Sequence, residues 1–221
     1  MERNLLRSDV MNDRPHKPVA MSPWRLEAAE SEEDALWRIH PERQMAIAHD
    51  TAHRLARGQE ALEQKEILQR LRAFVNREGL DTLAELWSGA DPVSLPRALY
   101  RLFQIREQVS AHPYEISQLM TMGIESLHTI DPYVLGAEVP VTAESVLAII
   151  DQILAGSFMG DLAHELDRAA SLSKLVSAGV LAWSERNEGY EHALALNSLA
   201  WGDVAKELAD CAVRERKGQL S

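Results

Sequence analysis

The sequence has a single cysteine, only five lysines and no run of about 18 apolar residues. One cysteine cannot form a disulfide within the chain, which predicts a reducing, cytoplasmic location. The lack of a long apolar run predicts no membrane-spanning helix, and the first residues lack the apolar core of a signal peptide. Cys211 lies in a charged segment without an activating base nearby, so we expect a buried, unreactive thiol.

Basic residues are absent between Arg106 and Arg168, although this interval holds ten acidic residues. The whole chain has 23 basic and 34 acidic residues, a net charge of −11, and residues 111–221 carry 7 of the bases and 16 of the acids. Nucleic acids and anionic membranes both require a concentrated basic surface on their protein partners. The charge distribution therefore predicts neither nucleic acid nor membrane as a partner.

Residues that favour β-strands are scarce, and residues that favour helices are abundant. Val and Ile together number 23, whereas Leu, Ala and Glu together number 80 of the 221 residues. The sequence therefore predicts an all-α fold, a single-domain multi-helix bundle of about eight or nine helices packed ridge into groove. We expect residues 1–22, which contain Pro15 and Pro18, to form a mobile or loosely docked N-terminal arm, and residues 23–221 to form the helical domain.

Proline and capping residues indicate where several helices begin. Ser94, with Pro96 in the following turn, predicts a helix that ends before Pro113, and Thr142 predicts the start of another. Gly123 predicts a break in the helical segment 114–127. Other predicted helices cover approximately residues 41–57, 59–78, 161–184 and 188–216.

The strongest candidate for a chemical site is residues 49–53, His-Asp-Thr-Ala-His. Two histidines four residues apart share one face of a helix, so His49 and His53 can bind one divalent metal ion. The HExxH pattern of metallopeptidases is absent because Asp50 stands where glutamate would be. The alternative interpretation is that both histidines lie on a solvated or helix-packing face.

The His49-Asp50 pair also resembles the His-Asp pair of HD-type phosphohydrolases. Such a site needs an earlier histidine and a later aspartate from other helices, and nothing in the sequence selects among the available residues. Those residues are His16, His40, Asp81 and Asp131.

Three other patterns are more typical of structure than of function. His164 lies among acidic residues at a predicted helix start, where the helix dipole favours acids. Residues 114–130 resemble a helix–turn–helix, but the second helix offers Glu125 in place of a base that could contact DNA. Met120 and Met122 could line a soft groove, although core filling is the simpler interpretation.

Two segments carry a family resemblance: SLPRALYRLFQIRE at residues 94–107 and GDLAHELDRAA at residues 160–170. Over about residues 80–185 the chain resembles an uncharacterised all-helical protein family of actinobacteria. The resemblance implies an intracellular bacterial protein, and it implies no activity and no catalytic residue.

We therefore expect a non-enzymatic helical protein that acts by binding another protein or a second copy of itself. Arg97, Arg101 and Arg106 recur at near-helical spacing ahead of the acidic interval. They could pair with acids of a second copy in a charge-complementary homodimer. Pairing with acids of the same chain is the alternative.

Two other function classes stay open. One is a metal-dependent hydrolase or isomerase that uses His49 and His53 with a divalent metal as cofactor. The other is a small-molecule-binding helical regulator with a pocket under the apolar loop 130–141. The residues expected to line that pocket are Met120, Met122, Tyr133 and Leu135.

Overall fold

The computed structural model of the chain describes residues 41–57, 69, 73, 79–127, 141–185 and 191–221. These residues form helices and turns without any strand, which confirms the all-α class. They contain seven helices, where the sequence predicts eight or nine over the whole chain. The helices are α1 (Pro41–Arg57), α2 (Asp81–Ser88), α3 (Leu95–Ala111), α4 (Pro113–Ser126), α5 (Ala143–Leu154), α6 (Leu162–Ser184) and α7 (Glu191–Arg216).

Two of the sequence predictions fall largely or wholly outside the described residues. The N-terminal arm at 1–22 lies outside them, and so does most of the helix predicted at 59–78. The helices of the described ranges are each too short or too polar to be candidates for crossing a bilayer.

Side-chain caps begin three helices near the predicted positions. The Ser94 hydroxyl accepts a hydrogen bond from the backbone N–H three residues on, at 3.4 Å, and starts α3. Thr142 and Ser145 form a reciprocal capping box at α5, with distances of 3.1 and 3.2 Å. The Asp161 carboxylate accepts from a backbone N–H of the first turn of α6 at 3.2 Å. These caps satisfy N–H groups that a helix leaves without partners at its start.

Helix α4 runs without a break through Gly123, so the predicted break is wrong, and residues 114–126 lack the turn that the resemblance to a helix–turn–helix requires. The physical reason is a close crossing of α4 and α6. A Cβ atom on Gly123 would overlap the carbonyl group of Leu175, and one on Gly179 would overlap that of Leu119. The glycines allow the two backbones to touch, and they do not provide a turn.

Helix α6 lies at the centre of the fold. It packs along α7 on one side and along α4 on another, while α3 contacts α1, α2 and α5. The core contains the fully buried rings of Trp87 and Trp201 and the predicted buried thiol of Cys211. Burial raises the pKa of that thiol to about 12, which keeps it protonated at neutral pH.

The last residues of the chain fold back against the start of α3. Helix α7 ends at Arg216, and Gly218 turns the chain with a left-handed φ of 65°. Leu220 is buried in the core, and the Ser221 carbonyl oxygen accepts from the Leu95 N–H at 2.8 Å. Arg57 of α1 donates to the Leu220 carbonyl oxygen at 2.9 Å. This C-terminal segment therefore ties α1, α3 and α7 together.

Candidate functional site

The predicted histidine pair lies on α1, with His49 half-buried and His53 exposed. Asp50 between them accepts a hydrogen bond from Arg54 at 2.7 Å. Within the described ranges, no group of three or more His, Cys, Asp or Glu side chains is placed to hold a metal ion. Three of the partners considered from the sequence, His16, His40 and Asp131, lie outside those ranges, and the fourth, Asp81, is exposed.

The metal site at His49 and His53 therefore stays a prediction. Metal analysis of the purified protein and of its His49→Ala variant tests it. The pocket expected under loop 130–141 also stays a prediction, because Tyr133 and Leu135 lie outside the described residues. Met120 is buried in α4, and Met122 is half-buried there.

The arginines considered for a homodimer pair with acids of their own chain. Arg101 binds Glu207 of α7 with two hydrogen bonds of 2.8 Å each, and Arg97 binds the same carboxylate at 3.1 Å. Arg106 donates to Asp151 at 2.7 Å and to Glu107 at 2.7 Å. The structure thus shows the intrachain alternative, and these arginines give no support for a second copy.

The cluster of Arg97, Arg101 and Glu207 stabilises the packing of helices. Burial raises the pKa of Glu207, but hydrogen bonds from Arg101 and Arg97 outweigh burial and hold the pKa below its usual range. Arg97 also donates to the Ser88 carbonyl oxygen at 2.6 Å and lies 5.4 Å from the Tyr100 ring centre. The cluster joins α2, α3 and α7 and has its charges satisfied.

An open groove of about 360 Å³ runs between α6 and α7 on the outside of the molecule. Six of its nine lining residues are alanine, glycine or serine, and the others are charged. Its α6 side is Asp167, Ala170, Ser171, Lys174 and Ser177, and its α7 side is Gly202, Ala205, Lys206 and Ala209.

Large apolar side chains continue both sides of the groove. Leu181 follows Lys174 by seven residues, and Leu199 and Val213 stand seven residues before and after Lys206. Seven residues are two helical turns to within about 20°, so each of these side chains lies on the same line as its lysine. Leu181, Leu199 and Val213 are 47%, 64% and 46% exposed. We call the groove with these three residues the α6–α7 face.

The α6–α7 face carries charges of both signs. On α7, Lys206 donates to Asp210 at 2.8 Å, and both side chains are exposed. On α6, Asp167 pairs with Arg216 at one end of the groove, and Lys174 is exposed near its middle. Opposite charges therefore stand seven residues apart on α6 and four apart on α7.

Sequence reasoning missed this face. The apolar stripe that is plain in the α6 sequence is the buried one, and the outward line of that helix alternates small and charged residues. The stripe includes Leu162, Leu166, Ala169, Val176 and Val180, all buried. The available signal was the repeat of Leu199 and Val213, fourteen residues apart on a side of α7 that otherwise carries small and charged residues.

Neither protein-family models nor curated proteins nor solved structures give a match to this chain. The resemblance to a helical actinobacterial family therefore depends on the two segments 94–107 and 160–170 alone.

Proposed function

We propose that this protein acts by binding a helix of a protein partner in the groove of the α6–α7 face, and that it does so without catalysis. The observation that carries the proposal is the open groove of about 360 Å³ with exposed Leu181 and Leu199 beside it. Exposed apolar side chains that cluster along one groove are typical of protein-binding surfaces.

The dimensions of the groove suit a helix. Its α6 side spans residues 167–177, which corresponds to roughly 15 Å at the helical rise of about 1.5 Å per residue. Alanine, glycine and serine let another helix come within the 8–10 Å or so that separates packed helix axes. A helix of about three turns would cover the groove, and longer side chains at its ends would contact Leu181, Leu199 and Val213.

The apolar residues supply part of the expected binding energy. Fully burying an exposed leucine side chain contributes roughly 1.5–3 kcal/mol. Leu181, Leu199 and Val213 are about half exposed, so together they contribute roughly 2–5 kcal/mol, and close packing of the partner helix on the small groove residues has to offset the remaining cost of association. Helix-in-groove recognition of this kind needs no metal, cofactor or nucleophile.

Site-specific photo-crosslinking tests the proposal. A benzophenone amino acid replaces Leu199 in the full chain, and a matched variant carries it at Ala148, which is exposed on α5. After irradiation in the native cells, we expect a protein adduct heavier than 24.7 kDa from position 199 and none from position 148.

A groove-filling variant makes the test specific. The closest atom to a Cβ on Gly202 is the Ser177 hydroxyl oxygen at 3.6 Å, so Gly202→Leu can fill the groove without entering the core. We expect this change to abolish the adduct from position 199. Equal adducts from positions 199 and 148, or an adduct that persists in Gly202→Leu, would contradict the proposal.

A further inference from the structure

The last turn of α7 connects the groove with the C-terminal segment, which is defined here as residues 217–221. Arg216 of that turn pairs with Asp167, which lines the groove from α6. The preceding residue, Glu215, accepts a hydrogen bond from Arg57 of α1, and Arg57 also donates to the Leu220 carbonyl oxygen at 2.9 Å. A change in this turn therefore affects the groove and the C-terminal segment together.

The C-terminal segment in turn holds the end of α7 in its helical form. The Gly218 N–H donates to the Glu215 carbonyl oxygen at 2.8 Å, and the Gln219 N–H donates to the Arg214 carbonyl oxygen at 2.9 Å. A helix leaves the carbonyl groups of its last turn without donors, and these two bonds supply them. When the segment leaves its place, the last turn of α7 loses both donors and is free to fray.

Arg216 matters for binding because the carboxylate that it neutralises lies in the wall of the groove. The Asp167 side chain is only 12% exposed. A partner helix that covers the groove removes the remaining water from this carboxylate. Burying an unpaired carboxylate is costly, whereas a carboxylate that is paired with a guanidinium group can be covered at a much smaller cost. Binding in the groove therefore depends on Arg216 being in place.

We propose that the C-terminal segment regulates binding in the groove of the α6–α7 face. While the segment is docked, Arg216 neutralises Asp167 and the groove binds its partner helix. When the segment is released, the last turn of α7 frays, Arg216 leaves Asp167, and binding weakens. The inference rests on the proposed function and adds its regulation. By linkage, a bound partner also holds the segment in its docked position.

The variant Leu220→Asp releases the segment. Leu220 is 2% exposed, and a carboxylate without a partner cannot stay in that core position, so the segment has to leave it. The matched control is Gln219→Asp, which introduces the same side chain at the exposed neighbouring position.

The backbone amide of Leu95 reports the release directly. Its N–H donates to the Ser221 carbonyl oxygen at 2.8 Å, and as the first residue of α3 it has no partner within the helix. We expect this amide to exchange at least about tenfold faster in Leu220→Asp than in the natural chain, measured by nuclear magnetic resonance. In Gln219→Asp it should exchange at the natural rate.

Photo-crosslinking from position 199 in the full chain measures the effect on the groove. We expect Leu220→Asp to reduce the yield of the partner adduct at least about fivefold, because the groove then contains an unpaired carboxylate. Gln219→Asp should leave the yield unchanged. Adding Asp167→Asn to Leu220→Asp should restore the yield, since the groove then has no buried charge to neutralise. A general loss of folding would not be reversed by this second substitution.

An adduct yield that is equal in Leu220→Asp and in the natural chain overturns the inference and leaves the proposed function standing. The same holds if Asp167→Asn fails to restore the yield, or if Leu95 exchanges no faster in Leu220→Asp. If the chain with natural residues at these positions gives no adduct from position 199, both proposals are overturned.

Discussion

Half-buried charged residues of this protein form ion pairs with residues of other helices, and Glu207 is the clearest case. Its carboxylate accepts three hydrogen bonds from Arg97 and Arg101. We expect Glu207→Gln to lower the free energy of unfolding at pH 7 by about 2 kcal/mol, because two guanidinium groups lose their counter-charge. Urea unfolding measures the change, and Asp210→Asn, in an exposed pair on the same helix, should cost under about 1 kcal/mol.

The effect of Glu207→Gln depends on pH in a direction that the structure fixes. The pKa of Glu207 is lowered in the folded state, so its contribution is fully present above the ordinary glutamate pKa of about 4.3. That contribution is lost as the pH falls through the folded-state pKa. The difference between variant and natural chain should therefore shrink in acid, and a difference that grows in acid would contradict this assignment.

Residue spacing alone does not show which acidic residues the arginines of α3 pair with. Arg97, Arg101 and Arg106 lie on one helix at near-helical spacing, and this is equally compatible with acids of the same chain or of another. Glu207 is over 100 residues away in sequence, so only the packing of α3 against α7 brings it to Arg101. The same limit applies to the α6–α7 face, because a stripe is exposed or buried according to which helices pack on it.

At the scale of helices, local sequence signals predict where a helix begins, but they do not predict which helices come into contact. Ser94 and Thr142 were predicted as helix starts because a cap needs only neighbouring residues. Glycine disfavours helix interiors, so Gly123 predicts a break, yet its role depends on the backbone of α6, about 50 residues further on. The residues around Gly123 carry no information on which distant helix crosses there.

The crossing of α4 and α6 gives a sharp prediction. In Gly123→Ala the added methyl group meets the backbone of Leu175, which cannot move as a side chain would. We expect a loss of about 3 kcal/mol or more in the free energy of unfolding, measured in urea. Gly89→Ala is the matched control, since a Cβ at Gly89 has no neighbour within 4 Å, and it should change stability by less than about 0.5 kcal/mol. Equal effects of the two substitutions would show that the crossing is not close.

At the scale of the whole molecule, the excess of acid is partly balanced by long-range pairs between helices. Arg57 with Glu215, Arg106 with Asp151 and Arg216 with Asp167 each join helices that are distant in sequence. The sequence placed the acidic excess correctly in residues 111–221, and the structure adds that several of these acids serve the fold. On the α6–α7 face the side chains of Lys174, Lys206 and Asp210 are exposed, whereas Asp167 is largely buried and pairs with Arg216.

Leu220 of the C-terminal segment contributes to stability by holding helices that are distant in sequence together. Leu220 is 2% exposed, and its carbonyl oxygen binds Arg57 of α1. We expect Leu220→Ala to cost about 2–4 kcal/mol in the free energy of unfolding, since it leaves a cavity in the core. Gln219→Ala, at an exposed neighbour, should have almost no effect.

Hydrogen exchange distinguishes a local from a global role of Leu220. If the segment fastens α1 to α3 and α7, amides of residues 41–57 should exchange faster in Leu220→Ala by a larger factor than those of α6. Uniform acceleration over all helices would instead mean that Leu220 contributes only to the common core. Because Arg57 reaches Glu215 and Leu220 on the same side of the molecule, while α6 is held by α4 and α7, we expect the loss of protection to begin at α1.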